Sequence, residues 1–561
     1  MAALPAAQRA ACSPGAEGGR VDAGRQLVQR RLPSGAQQRR RDVPFVKWWQ
    51  RGPRKAGEVK PVKLIPTLLH WTDSCKEVLD LVLRYEGELD SREMTVAFQR
   101  MGALFLTDLG ATPDRVVAPE NAKEHCARLF SEAQAQLGTL DTQGLATAVW
   151  MCARFHYLPP AEERAAWERA LWERRFDVTL IEVSNIIFSL GVLHWLPTEM
   201  PALNDELLER ALQQAHKLTP WMVCNIMWGC ARLQPDGWAP SADCLVRLVE
   251  ASLPQLDSFS PESFCAMLFS LACLRMRPDD AALTAVLDAF QWQVPKSNNR
   301  QLVTVVWSLG ALQITPLITE SLWDDIERQL LQQADEFNFS SAPFFLFGSA
   351  RLQLNPSEPL LRLLLAKTIE FLPDLRTGDV TVVLWALCRM GHKAGEGVVT
   401  HQFLQPLVER FMQHNAERPA TLRQLSTLLW ATSQLKAELP PATLAALIAD
   451  ADARATEQRR AMSTTDATML LNAFETMESP EGLAFLKRHI MGRWGARHRS
   501  RLFDDEEGEE GSEGSASDSD GEGPEETLKG GGISKGGAEE GASASAGEGL
   551  LDDELELRPV L

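Results

Sequence analysis

The sequence predicts an all-α fold: an α-solenoid, or superhelix, of stacked helix-turn-helix repeats of about 38–42 residues, with disordered tails at both ends. Three observations carry that expectation. An apolar segment centred on an aromatic residue recurs along the chain, as TAVWMCARFHYLP at 147–159, VVWSLGALQITP at 305–316 and VVLWALCRMGH at 382–392. Each copy follows a charged segment whose apolar residues fall three and four apart, as they do on a helix with one buried stripe. The two ends of the chain differ sharply in composition from the stretch between them.

The N-terminal segment, 1–63, holds 14 basic and 4 acidic residues, a net charge of +10. Its first 41 residues are rich in alanine and arginine, contain no lysine, and lack the compact apolar core of a secretory signal. That composition suits an organelle transit peptide, and a disordered basic arm shares it.

Residues 64–480 form the repeat region. Aligned on the aromatic, here position zero, the copies place Trp150, Phe188, Trp228, Phe269, Trp307, Phe347, Trp385 and Trp430 in register, at intervals of 38, 40, 41, 38, 40, 38 and 45. Two degenerate units add Gln99 before them and Asn472 after. The first helix of each unit is charged and amphipathic, as in PSADCLVRLVEASLPQL and ITESLWDDIERQLLQQADEF. A short turn follows with cap chemistry: Ser260-Pro261-Glu262 supplies an N-cap, a first-turn proline and a first-turn acid. The second helix carries the aromatic and is expected to stop at Pro159, Pro197, Pro235, Pro278, Pro316, Pro356, Gly391 or Pro440. A hairpin of this kind cannot bury its own apolar faces; its neighbours do so.

Positions −5, −2, −1, +2 and +5 are apolar or small, for example Leu302, Val305, Val306, Leu309 and Leu312. Position zero lies among them, so the aromatic is assigned to the core. Position +3 is Ala153, Gly191, Ala231, Ala272, Gly310, Ala350 or Cys388, which implies a neighbouring helix pressed against it. The remaining stripe, at −7 or −6, −3, +1 and +4, is the candidate ligand surface. Position −6 holds Glu182, Ser263, Gln301, Ser341, Asp379 and Gln424 among its polar members; the residues assigned to the ligand are Gln301 and Gln424 at −6, Thr147, Asn185, Asn225, Thr304 and Thr427 at −3, and Arg154, Arg232, Arg351 and Arg389 at +4; position +1 is small and is read as a flat floor. Fixed places filled by varied donors and acceptors suit one-base-per-repeat reading of single-stranded RNA. A solvated helix face is polar too, and arginine near a helix C-terminus is favoured by the dipole.

The period and the segments VVWSLGAL, VVLWALCRM, TLLWATSQL, NIMWGCARL and LPQLDSFSPESFCAMLFSLACL resemble the octotricopeptide repeat family over roughly residues 122–477. The resemblance implies sequence-selective binding of single-stranded organelle RNA, in transcript processing, stability or translation. It implies no catalytic activity, no cofactor, and a place in the chloroplast or, alternatively, the mitochondrion. Ribosomal RNA, ribosomal proteins or other organelle RNA-processing proteins are further partners in keeping with it. Members with a nuclease-like C-terminal domain exist, but nothing after Met477 matches one.

After the repeats, 481–503 is a basic amphipathic segment with Lys487, Arg488, Arg493, Arg497, Arg499 and Arg501, suited to RNA phosphates, a ribosome surface or a closing cap. Residues 504–561 hold 19 acidic and 3 basic residues in a glycine-rich, low-complexity tail that cannot bury enough surface to fold. The net charge of −18 therefore leaves −12 on residues 64–503. That weighs against an electropositive body and keeps a protein-binding scaffold of armadillo or HEAT type open, as well as a structural subunit of an organelle ribosome. No phosphate-binding glycine loop, zinc-spaced cysteine set or nucleophile elbow occurs, and no metal site is expected. The ten cysteines read as small buried hydrophobes, and no apolar run is long enough to span a bilayer.

Overall fold

A computed structural model of the chain describes residues 65–70, 72–85, 88–108, 120–395, 397–457 and 462–491. The N-terminal segment and the acidic tail lie outside these residues. Every regular element among the described residues is a helix, and none is a β-strand. The chain opens with α1 (Ile65–His70), α2 (Cys75–Arg84), α3 (Ser91–Asp108), α4 (Glu120–Gln134), α5 (Thr142–Arg154), α6 (Ala161–Glu173) and α7 (Leu180–Leu193). It continues through α8 (Leu203–Leu212), α9 (Pro220–Leu233), α10 (Ala242–Ser252), α11 (Pro261–Cys273), α12 (Asp280–Gln291), α13 (Asn299–Leu312), α14 (Glu320–Gln332), α15 (Ser341–Leu352) and α16 (Glu358–Glu370). The last elements are α17 (Thr377–Arg389), α18 (His401–Glu417), α19 (Leu422–Gln434), α20 (Pro441–Glu457), α21 (Thr464–Thr476) and α22 (Pro480–Met491).

Two compact units divide the chain: Met1–Glu182 with Pro197–Leu203, and Val183–Leu196 with Asn204–Leu561. In the first, α3 packs on α5, and α4 on α2 and α6. Phe130 of α4 stacks on Trp167 of α6 at 4.4 Å between ring centroids, and Trp167 Nε1 donates to Gln134 Oε1 at 2.9 Å. Gly102, position +3 of the degenerate unit, takes the Trp150 ring so closely that a Cβ would fall 2.5 Å from it.

In the second unit the second helices form one continuous layer: α9 on α11, α11 on α13, α13 on α15, α15 on α17, α17 on α19, α19 on α21. The first helices form the other layer, with α14 on α16 and α16 on α18. This is solenoid packing. The position-zero rings touch their successors within it: Phe269–Trp307 at 5.6 Å, Trp307–Phe347 at 6.5 Å, Phe347–Trp385 at 5.5 Å, and Phe188–Trp228 at 4.9 Å. Trp307, Phe347 and Trp385 are buried, so the aromatic is a core residue; Trp430 in the same unit is half-buried.

The small +3 residues do meet a close neighbour, and it is position +1 of the next second helix. A Cβ on Gly191 would stand 2.8 Å from Gly229 Cα, and one on Gly310 would stand 2.7 Å from Gly348 Cα. From the other side, a Cβ on Gly348 would stand 2.5 Å from the Val306 carbonyl oxygen. Position +1 is therefore no flat floor for a ligand. Ser270, Ser308, Ala386 and Ala431 are all buried, because +1 is the other half of the helix-helix contact.

Both ends of the second helix are fixed by position. At −9 a side chain caps the N-terminus: Asp141, Thr219, Ser260, Asn298, Thr421 and Ser463 each accept from the backbone N–H at −6. At the other end two of the expected stops hold, Gly391 as the terminating residue and Pro235 in the turn that directly follows α9, while the other prolines are not the terminators. A residue at +6 in the left-handed region ends the helix: His156, His194, Arg275, Gln313, Gln353, Lys436 and Glu478, with φ between 47° and 56°, and Gly391 at 81°. The N–H at +6 donates to the carbonyl at +3 and the N–H at +7 to that at +2, for example Arg275 to Ala272 at 3.1 Å and Met276 to Leu271 at 3.0 Å. The other prolines follow this turn. The first helices are also shorter than their sequences suggest. They end in 3-10 turns at 253–258, 294–296 and 372–374, each with a proline in its first two positions.

Candidate nucleic-acid interface

One stripe of the second-helix layer stays open. At 100° per residue, positions −7, −3 and +4 share a face. Position zero covers one flank and positions −6 and +1 the other, all three turned towards neighbouring hairpins. The sequence left −7 and −6 as alternatives, and the structure selects −7.

Gln301 and Gln424 accordingly leave the candidate surface. Each sits at the third position of its helix and closes a capping box. Gln301 Oε1 accepts from the Asn298 N–H at 3.0 Å while its own N–H donates to Asn298 Oδ1 at 2.9 Å. Gln424 Oε1 accepts from the Thr421 N–H at 3.2 Å and from Thr377 Oγ1 at 3.1 Å. Thr427 also leaves: it is fully buried, and its hydroxyl donates to the Arg423 carbonyl at 2.8 Å.

The other −3 residues are half-exposed as expected. The Thr147 and Thr304 hydroxyls donate back to the carbonyls of Gln143 and Arg300, at 2.6 and 2.8 Å, which leaves their lone pairs for a ligand. The Asn185 and Asn225 amides make no hydrogen bond among the described residues, so each offers both donor and acceptor. Arg154, Arg232, Arg351 and Arg389 stand half-exposed in the last turns of α5, α9, α15 and α17. Burial pulls the Arg154 and Arg232 guanidinium groups below their ordinary values, though arginine starts high enough to remain a cation. Arg232 lies 5.6 Å from the Trp228 ring centroid, and its Nη2 is 2.6 Å from His194 Nε2; His194 Nδ1 is 2.8 Å from Asp236 Oδ2.

Position −7 supplies residues that the sequence reading passed over: Trp221, Arg300 and Arg423. Trp221 is 50% exposed, on the same face as Asn225 and Arg232. One helix thus presents an aromatic plane, an amide and a cation in line. The N-cap at −9 was the available signal, since it makes −6 the third helical position, whose side chain folds back on the cap. Phe344 at −3 leans against Trp307, with ring centroids 6.1 Å apart.

Charge separates by layer. The first helices α8, α10, α12, α14, α16, α18 and α20 hold 18 acidic and 7 basic residues. The second helices α9, α11, α13, α15, α17, α19 and α21 hold 4 acidic and 5 basic residues. All five cations are arginines at −7 or +4, though Arg423 Nε pairs with Asp466 Oδ1 at 2.8 Å, and the exposed Glu262 also stands at −7. The acidity of the sequence is thus concentrated in the first-helix layer, while the second-helix layer is close to neutral and gathers its arginines at −7 and +4.

The basic segment after the repeats is described only as far as α22. There Arg488 and His489 both bind Asp452 of α20, at 2.8 and 2.6 Å, so these side chains close the stack. Arg493, Arg497, Arg499 and Arg501 lie outside the described residues. Cys224, Cys230 and Cys265 are buried free thiols, and burial raises Cys224 and Cys265 to about 12. Among the described residues no helix is long and apolar enough to cross a membrane. No protein-family model matches the chain, and no curated protein matches it.

Proposed function

We propose that this chain binds single-stranded RNA along the −7/−3/+4 stripe of its second helices, with sequence selectivity supplied unit by unit. The observation that carries the reading is the division of charge by layer: the first helices hold most of the acids, while the half-exposed Arg232, Arg351 and Arg389 recur at +4 of the second helices. Trp221, Asn225 and Arg232 illustrate the chemistry, with a plane for base stacking, an amide for a base edge and a cation for phosphate. The repeat's likeness to the octotricopeptide family and the arginine-rich, acid-poor N-terminus favour an organelle transcript as the target, in the chloroplast ahead of the mitochondrion, and a role in processing, stability or translation. Crosslinking in native organelle extract followed by sequencing tests the reading. A discrete RNA footprint that is lost in the Trp221→Ala/Asn225→Ala variant supports it; absence of any enriched footprint overturns it.

A protein-docking scaffold is the second reading, and one observation favours it. A cleft of about 570 Å³ lies between α18 and α20, lined by Leu404, Val408, Met412, Leu439 and Ala446. Co-purification of a stoichiometric protein partner lost on Val408→Glu, without an RNA footprint, would favour this alternative.

A further inference from the structure

The C-terminal ends of the second helices carry a pattern that neither capping nor solvation explains. In the second unit, four of the eight-unit series lack the arginine that the others hold at +4. At Phe269 and Trp430 position +4 is Cys273 and Gln434, and there the left-handed position +6 is Arg275 and Lys436. At Phe347 and Trp385 position +4 is Arg351 and Arg389, and there +6 is Gln353 and Gly391. Trp228 has Arg232 and no cation at +6. Each of these five helix ends holds one permanent cation, at one site or the other. The series skips Phe188, with Val192 and His194, and Trp307, with Ala311 and Gln313, and reverses sign in the closing unit at Glu478.

Backbone geometry makes the exchange informative. Glycine is the easy choice at φ 53° or 54°, yet long polar side chains recur there, Arg275 and Lys436 among them with Gln313, Gln353 and Glu478. The single glycine at +6, Gly391, falls in a unit that already has its cation at +4. Interaction with the helix dipole favours a cation at either site but gives no reason for one per helix. The two sites also belong to one rim. Arg232 at +4 meets His194, the +6 residue of the preceding hairpin, at 2.6 Å. Successive second helices in contact lie about 8–10 Å apart, so neighbouring occupied ends bring their charges to about that step, with a gap at Trp307.

We propose that Arg232, Arg275, Arg351, Arg389 and Lys436 form a single rail that holds the phosphate backbone of a single-stranded RNA, while the −3 residues face its bases. This rests on the RNA-binding reading above and assigns the +6 residues a part in it.

The test is the full chain against labelled polyuridylate and polyadenylate across a salt series. Arg275→Gly/Lys436→Gly removes both side chains while suiting the left-handed backbone; Arg275→Gln/Lys436→Gln keeps their length. Both variants are expected to bind both polymers roughly tenfold or more weakly at about 0.1 M salt, with the slope of log affinity against log salt shallower by about 1.4. The glycine variant should melt no lower than the parent. If the parent binds and both variants keep its affinity and salt slope, the rail is overturned and the RNA reading survives. If the parent binds neither polymer nor organelle RNA at low salt, the RNA reading itself falls.

Discussion

Trp307 shows why the repeat tolerates both tryptophan and phenylalanine at position zero. Its ring is buried between Phe269 and Phe347, but its indole nitrogen finds no hydrogen-bond acceptor. The site needs a large flat ring and makes no use of the N–H. Trp307→Ala should cost about 3–5 kcal/mol in urea unfolding. Trp307→Phe should cost under about 1.5 kcal/mol, because the shape class is kept and no bond is lost; an equal loss in both variants would contradict this. Gly310 makes the opposite demand. Gly310→Ala drives a methyl group into Gly348 and should cost about 1–3 kcal/mol. Both residues were legible in the sequence as a repeated large ring and a repeated small neighbour. The meaning of +1 was not, since a small residue beside a ligand and a small residue beside a helix look alike until the partner helix is placed. The thiols add a pH prediction. Cys224, Cys265, Cys273 and Cys388 are each raised by burial to about 12, from 9.0. Above pH 9 the unfolded chain ionises them first, so stability is intact below that value and declines between pH 9 and 12. Denaturation midpoints across that range check the sign, and alanine at the four sites should flatten the decline.

At the scale of the element, the second helix is defined by its two ends, with an N-cap at −9 and a left-handed residue at +6. Gln301 belongs to the first of these. Gln301→Ala should therefore lower stability by about 0.5–2 kcal/mol through the lost capping box and leave RNA affinity unchanged; a specific loss of binding at constant stability would return Gln301 to the interface. The cap motif is visible as Asn298-x-x-Gln301 and Thr421-x-x-Gln424, so this distinction was readable from the chain. The left-handed turn was not, because seven of its eight occupants are not glycine and carry no compositional mark. The closing helix α22 supplies a second test. The hydrogen bond from His489 and the charge of Arg488 hold the Asp452 carboxyl below its ordinary value. A carboxyl lowered in the folded state stabilises at pH above its unfolded value, and that contribution disappears as pH falls through the folded one. Hydrogen exchange should show α22 losing protection before the central second helices as the solution is acidified, and Asp452→Asn should show that early opening already at neutral pH.

For the whole molecule, net charge misleads because it sums over layers. Binding that depends on the arginine stripe should weaken with salt although the chain as a whole is acidic, and Arg232→Ala/Arg351→Ala/Arg389→Ala should reduce the magnitude of the salt slope by about 2. The fold class was readable at this scale because the period is nearly constant over eight units, and only a stacked architecture needs such a period. The division of charge was not readable, since it depends on which helix of each hairpin faces out. The contact of +3 with +1 carries a consequence for how the array changes over time and in design. Each hairpin is fitted to the one after it, so neither the Trp307 unit nor the Phe347 unit is a free-standing cassette. A copied or transplanted repeat must bring a matching successor, or the two backbones will collide where a pair of glycines now lets them touch.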